Sequence, residues 1–245
     1  MPLVGILSGT LPLFDLGLFD HLDKKIWHGT TCKIPYLEGN DLILIARHGW
    51  SERDFTPPHL IEHLAHFQAL AKLGVSEVIG VYSTGSLKDF LKPGMLIVPD
   101  DFICLYPTPT SVSDRPHHIT PAIDATVRRN LINASREVDI DVKDGGVYWQ
   151  TAGPRLETKA EIRMMATAAN MVGMTMASEA VLAREFGIAF GAVCSIDNYA
   201  HGIGDNELKD EDIRAQARQN AEKIGRIVSR YIEQFRLRTR PAGRA

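Results

Sequence analysis

A chain of 245 residues with a formal net charge of −3 has no global positive field, which argues against nucleic acid or an anionic membrane as partner. Its 44% hydrophobic and 23% charged residues are ordinary for a globular protein, and the length suits one large α/β core. Cys32, Cys104 and Cys194 stand far apart with no CxxC pair, a pattern of buried thiols in a reducing compartment, so the expected location is the cytoplasm.

The first element expected is a strand at residues 4–7, where no basic region or cleavage pattern suggests a signal peptide. Further short apolar runs follow at 42–46, 77–81, 95–99, 171–174 and 188–195. Their apolar character is continuous rather than alternating, as in strands covered on both faces. Helical spacing marks 59–73, 159–169, 178–186 and 210–235, and no apolar run approaches a membrane span of about 20 residues. The last of these helices carries a stripe of Ile213, Ala217, Ala221, Ile224, Ile227, Val228 and Ile232 suited to covering a sheet. Gly74 and Gly187 sit where helix stops belong. The expected fold is α/β: a single domain over 1–237 with a twisted mixed β-sheet flanked by helices, followed by a basic tail at 238–245.

Open α/β sheets bind ligands beyond the carboxyl ends of their strands. The residues there are Ser8-Gly9-Thr10, Arg47-His48-Gly49, Ser83-Thr84-Gly85-Ser86, Gly173-Met174-Thr175 and Asp197-Asn198-Tyr199-Ala200. Glycine lets backbone N–H groups approach a ligand, hydroxyls donate, and arginine can clamp an oxyanion in bidentate fashion. Turn-forming composition accounts for any one of these segments alone; the set together with Arg47 suits a small tetrahedral anion. No GxxxxGK[ST], GxGxxG or GxSxG is present, and no HExxH or Cys/His set implies a metal.

Residues 146–163, GVYWQTAGPRLETKAEIR, resemble the GVY…GPR-[FL]-ET…AEIR signature of the purine nucleoside and 5′-methylthioadenosine phosphorylase family. Residues 172–175 with 179–185 resemble its VGMT…VLARE block, and Asn198-Tyr199-Ala200 its NYA. Arg47-His48-Gly49, Pro57-Pro58-His59, Gly85-Ser86-Leu87 and Pro93-Gly94 complete a collinear set, similar overall to the 5′-methylthioinosine phosphorylase type. The resemblance implies a homotrimer that splits purine nucleosides with inorganic phosphate as co-substrate and no cofactor. It implies phosphate ligands at Thr10, Arg47, His48, Ser83 and Thr175, with Tyr82 near them. Met174 would lie against the ribose, and Leu156, Tyr199 and Ala200 would border the substrate. His118 would close the sugar's 5′ side from a neighbouring subunit, and Asn198 would face the base. An amide there suits a 6-oxopurine, whereas a register shifted by one puts Asp197 in the catalytic position and favours a 6-aminopurine.

The resemblance breaks at Glu52, Glu62 and His63, where the family carries His, Asn and Tyr. A carboxylate beside a phosphate is repulsive. Either these side chains turn away from the site, or the chain is a family member with a diverged pocket, acting as a binding protein or on a different nucleoside-like ligand. Glu157 and Arg163 are expected to serve the fold, and Arg155 to brace its loop.

Overall fold

The computed structural model of the protein describes residues 2–9, 19–204 and 210–239. The chain opens with β1 (Leu3–Ser8), a hairpin of β2 (Asp23–His28) and β3 (Lys33–Glu38), and β4 (Leu42–Ala46). Single 3₁₀ turns at Glu52–Asp54 and Pro58–Leu60 lead to α1 (His63–Lys72), then β5 (Val75–Ser86), β6 (Leu96–Val98) and β7 (Asp101–Cys104). Next come α2 (Ala125–Glu137), β8 (Lys143–Asp144), β9 (Val147–Gln150), α3 (Lys159–Met165), β10 (Met171–Gly173), α4 (Met176–Phe186), β11 (Ala189–Tyr199) and α5 (Asp210–Thr239).

Among the described residues the strands form one mixed sheet with both faces covered. Alternate residues of the central strands enter two separate cores. Val4, Ile6, Leu42, Leu44, Ile79, Val81 and Val193 pack with α2 and α5 on one face. Leu7, Ile43, Ile45, Val78, Tyr82, Ala192 and Cys194 pack with α1 and α4 on the other. This double burial is why the strands read as unbroken apolar runs. The α5 stripe from Ala217 to Ile232 enters the first core as its pattern requires. No helix among the described residues is long and apolar enough to cross a membrane.

Gly187 at φ +69 ends α4 in the left-handed conformation, and Gly74 at φ +82 follows Leu73, the C-cap of α1. Residues 59–62 precede α1 instead of opening it, because Pro57 and Pro58 set a 3₁₀ turn there. The hairpin β2–β3, β7, α2 and the short β8 and β9 add to the elements expected from sequence. Helix α5 continues through Thr239, with Arg238 bonded to Glu77 at 3.3 Å, so two residues of the expected tail are helical; 240–245 lie outside the described residues.

One irregularity positions the site. Pairing of β5 with β1 reaches Gly80, whereas its antiparallel pairing with β10 involves only Gly85 and Ser86. The intervening stretch of β5 therefore has no strand partner on that edge, leaving the Val81 carbonyl for a side chain.

Candidate functional site

The guanidinium of Arg47, one residue past β4, fills this gap. Its Nη1 donates to the Val81 carbonyl at 3.2 Å and its Nη2 to the Leu7 carbonyl at 3.1 Å. Nε and Nη2 grip Glu179 of α4, the Nη2 bond measuring 2.8 Å, and Arg47 lies over the Tyr82 ring with its central carbon 4.6 Å from the centroid. The Tyr82 hydroxyl donates to the same carboxylate at 2.5 Å. These bonds occupy four of the five guanidinium N–H groups and leave one on Nη1. The bidentate face expected to meet an anion is thus filled by the protein's own carboxylate. A Cβ on Gly9 would sit 2.6 Å from Nη1, so only glycine lets the β1 backbone pass this close.

Glu179 is fully buried. Burial alone would raise its pKa, but the Arg47 charge, the Arg47 hydrogen bonds and the nearby His63 bring it down to about 2. His63 approaches Glu179 to 3.4 Å, and His66 lies edge-on to His63 with centroids 6.4 Å apart. Glu62 is exposed, and neither Glu62 nor His63 lines the cleft described next. The charge at Glu62 is therefore turned away from the pocket, while His63 belongs to the layer behind Arg47.

In front of Arg47 opens a cleft of about 540 Å³. It gathers Gly9, Arg47 and His48, then Ser83 to Gly85 of β5, Gly173 to Thr175, and Asn198 with Ala200. Five distant segments that look like ordinary turns in sequence thus meet at one sheet edge. Phe55, Pro57, Pro58 and Ile213 form an apolar wall, and Leu156 and Glu157 border the cleft from the loop before α3.

His48 donates from Nδ1 to the Thr56 carbonyl at 2.7 Å and stacks on Phe55 with centroids 5.2 Å apart. Burial, then the Arg47 charge, push its pKa down to about 4. Burial and the neighbouring His63 push His66 to about 3. Both rings are therefore neutral in the folded protein near pH 7. Because the folded pKa values lie below the unfolded one, these rings contribute stability above about pH 6.5 that is lost as pH falls. Denaturant titrations at successive pH values should show a loss approaching about 1.4 kcal/mol per pH unit for each ring between pH 6.5 and 4. A flat profile there would show that the rings protonate freely in the fold.

Thr175 caps α4 with no side-chain cap bond, its N–H donating to the Tyr148 hydroxyl at 3.3 Å. Met174 packs against Gly153, where a Cβ would meet its sulfur at 2.6 Å. A bulge between Ile196 and Asn198 separates the fates of the two neighbours in β11. Asn198 lines the cleft, its Nδ2 donating to the Tyr199 carbonyl at 2.8 Å. Asp197 is buried elsewhere, accepting from Ser195 at 2.9 Å and Asn220 of α5 at 2.8 Å; burial raises its pKa despite bonds from Ser83, Asn220 and Ser195. Tyr199 donates to the Asp89 carbonyl at 3.1 Å outside the cleft lining. His118 is exposed and is not brought to the cleft within one chain, and Thr10 lies outside the described residues.

Glu157 is the residue that sequence reasoning missed. It lines the cleft while 8% exposed, and one carboxylate oxygen accepts from Thr151 Oγ1 at 2.6 Å. Arg155 instead braces its loop on Glu161 through bonds of 2.7 and 2.8 Å.

A family model described as the phosphorylase superfamily matches residues 6–233. The chain belongs to the phosphorylase superfamily. A probable 6-oxopurine nucleoside phosphorylase of Archaeoglobus fulgidus is 40% identical over 235 residues, covering 94% of this phosphorylase-superfamily chain and 96% of the relative. A probable S-methyl-5′-thioinosine phosphorylase of Methanocaldococcus jannaschii is 36% identical over 202 residues, covering 79% and 77%. Among solved structures, a mutant adenosine/methylthioadenosine phosphorylase of Schistosoma mansoni in complex with methylthioadenosine superposes with a TM-score of 0.83. At 21% identity over 96% of this chain and 92% of that one, this likeness shows the shared phosphorylase fold.

Proposed function

We propose that this protein is a phosphorylase of 6-oxopurine nucleosides, with inosine and 5′-methylthioinosine as the substrates to test. The observation that carries the choice of base is Glu157, a buried carboxylate lining the same cleft as the Asn198 amide. A 6-oxopurine presents an N–H at N1 that a carboxylate accepts, whereas a 6-aminopurine presents a lone pair there and leaves the carboxylate facing an acceptor. Asn198 can donate to O6 and accept at N7 as that atom gains a proton. The names of the Archaeoglobus and Methanocaldococcus relatives support this reading. The apolar wall of Phe55, Pro57, Pro58 and Ile213 favours a methylthio group over a hydroxyl at the 5′ position.

In the reaction a phosphate oxygen attacks C1′, the N-glycosidic bond breaks, and the proton of hydrogen phosphate ends on the departing purine. In this reading the remaining Arg47 N–H, His48, Ser83 and Thr175, all in the cleft lining, hold the anion, with Thr10 completing the set by family position. Holding it against the anomeric carbon supplies nucleophile and counter-charge together, and such positioning contributes up to about 7–11 kcal/mol. Met174 borders the ribose. No cofactor is needed. The same reading makes the assembly a cytoplasmic homotrimer in which His118 reaches a neighbouring cleft, in keeping with its exposure on the single chain.

The test is kcat/KM for inosine, 5′-methylthioinosine, adenosine and 5′-methylthioadenosine in excess phosphate. The 6-oxo member of each pair should win by about 10²-fold or more, because the wrong base leaves a buried acceptor unpaired. Equal use of the two bases would remove Glu157 from the base site.

A further inference from the structure

Apart from Arg47, no described residue lining the cleft carries a permanent positive charge, and the Arg47 charge is met by Glu179 through a two-point grip. The lining residues around the anion position therefore hold it mostly with neutral donors. His48 adds a constraint of its own. A carbonyl oxygen only accepts, so the 2.7 Å contact with Thr56 places the imidazole proton on Nδ1. Nε2 is then a bare lone pair, paired with no described residue, on a ring that lines the cleft and is held in place by its stacking on Phe55. The depressed pKa of the ring keeps that lone pair unprotonated at neutral pH.

We infer that His48 acts as an acceptor in the anion subsite, making it select a tetrahedral oxyanion that carries a proton, hydrogen phosphate or hydrogen arsenate, over sulfate. This rests on the phosphorylase reading and on His48 being part of the anion subsite. Near pH 7.5 phosphate and arsenate retain one O–H to give to Nε2. Sulfate has the same shape and double charge but no proton, so one of its oxygens meets the lone pair directly. A missing donor opposite a buried acceptor leaves both groups unpaired, and the loss exceeds that of an absent contact.

The experiment measures phosphate KM, arsenate KM and the competitive inhibition constant of sulfate against phosphate, at pH 7.5 and constant ionic strength, for the wild-type protein and His48→Gln. Arsenate should substitute for phosphate within about threefold, and sulfate should bind at least about tenfold more weakly, a difference of about 1.4 kcal/mol. In His48→Gln the amide can turn its NH₂ towards the anion, so the sulfate-to-phosphate ratio should fall towards one. A ring with a purely structural role would weaken both anions together and leave the ratio unchanged. Wild-type sulfate binding within about threefold of phosphate overturns the inference, as it would if Nε2 took a ribose hydroxyl instead. The wild-type ratio decides even if the variant fails to fold. Absence of any phosphate-dependent turnover would sink the functional reading instead; calorimetry with phosphate and sulfate then decides the selectivity on its own.

Discussion

Glu179→Leu is expected to be the most destabilising single change in the site. It leaves the Arg47 guanidinium, itself 3% exposed, buried without its counter-charge. Breaking a buried pair from one side typically costs about 3–5 kcal/mol, because the remaining ion has neither water nor partner. The Tyr82 hydroxyl loses its acceptor in the same change. Combining Glu179→Leu with Arg47→Leu should restore much of that stability, since apolar replacements of a buried pair are often tolerated. The double variant should still lose turnover, because the last Nη1–H of the anion site goes with Arg47. Denaturant midpoints of the two single variants and the double variant measure the first claim. If Glu179→Leu lost less than about 1 kcal/mol, the carboxylate would not be the group that holds Arg47 in place.

Asn198→Ala should produce the largest loss of turnover without a comparable loss of fold. Asn198 is only partly buried and its side chain donates to the adjacent Tyr199 carbonyl, so truncating it leaves little of the core exposed. Its role lies in the transition state, where negative charge grows on the leaving purine. Losing one such stabilising group lowers kcat by about 10²- to 10³-fold. The effect should fall on kcat more than on KM, since the ground-state base has little charge for the amide to meet. A matching substitution of Asp197 should instead cost stability, because Asp197 ties β11 to Asn220 of α5. If Asn198→Ala retained nearly full kcat, the base would not be bound as proposed.

Much of this was legible in the chain itself. The central strands announce themselves because both faces are buried, and the helix ends because Gly74 and Gly187 adopt positive φ. The hairpin of β2 and β3 was harder to see: its side chains are largely exposed on β2, so no apolar pattern marks it. Helix α2 had a findable signal in the Asp124 cap and the spacing of Val127, Leu131 and Ala134. Within the site, the ring of small residues followed from the rule that ligands lie beyond strand ends. Three features did not follow from local pattern. The pairing of Arg47 with Glu179 joins residues 132 positions apart, and only the gap in β5 pairing brings them together. Glu157 reads as structural in sequence because Arg163, six residues on, cannot share a helix face with it; in the fold it borders the cleft and accepts from Thr151, just past β9. The bulge at Asp197 is likewise invisible in sequence, yet it decides which of two neighbouring side chains faces the cleft.

On the proposed function the cleft uses inorganic phosphate to split a purine nucleoside. Its most direct test is release of hypoxanthine from inosine, or from 5′-methylthioinosine, by the purified protein with and without phosphate. Release should require phosphate, saturate with it, and yield one equivalent of the pentose 1-phosphate per base. Release at the same rate in phosphate-free buffer, with free pentose as the second product, would mean that water is the nucleophile and would contradict it.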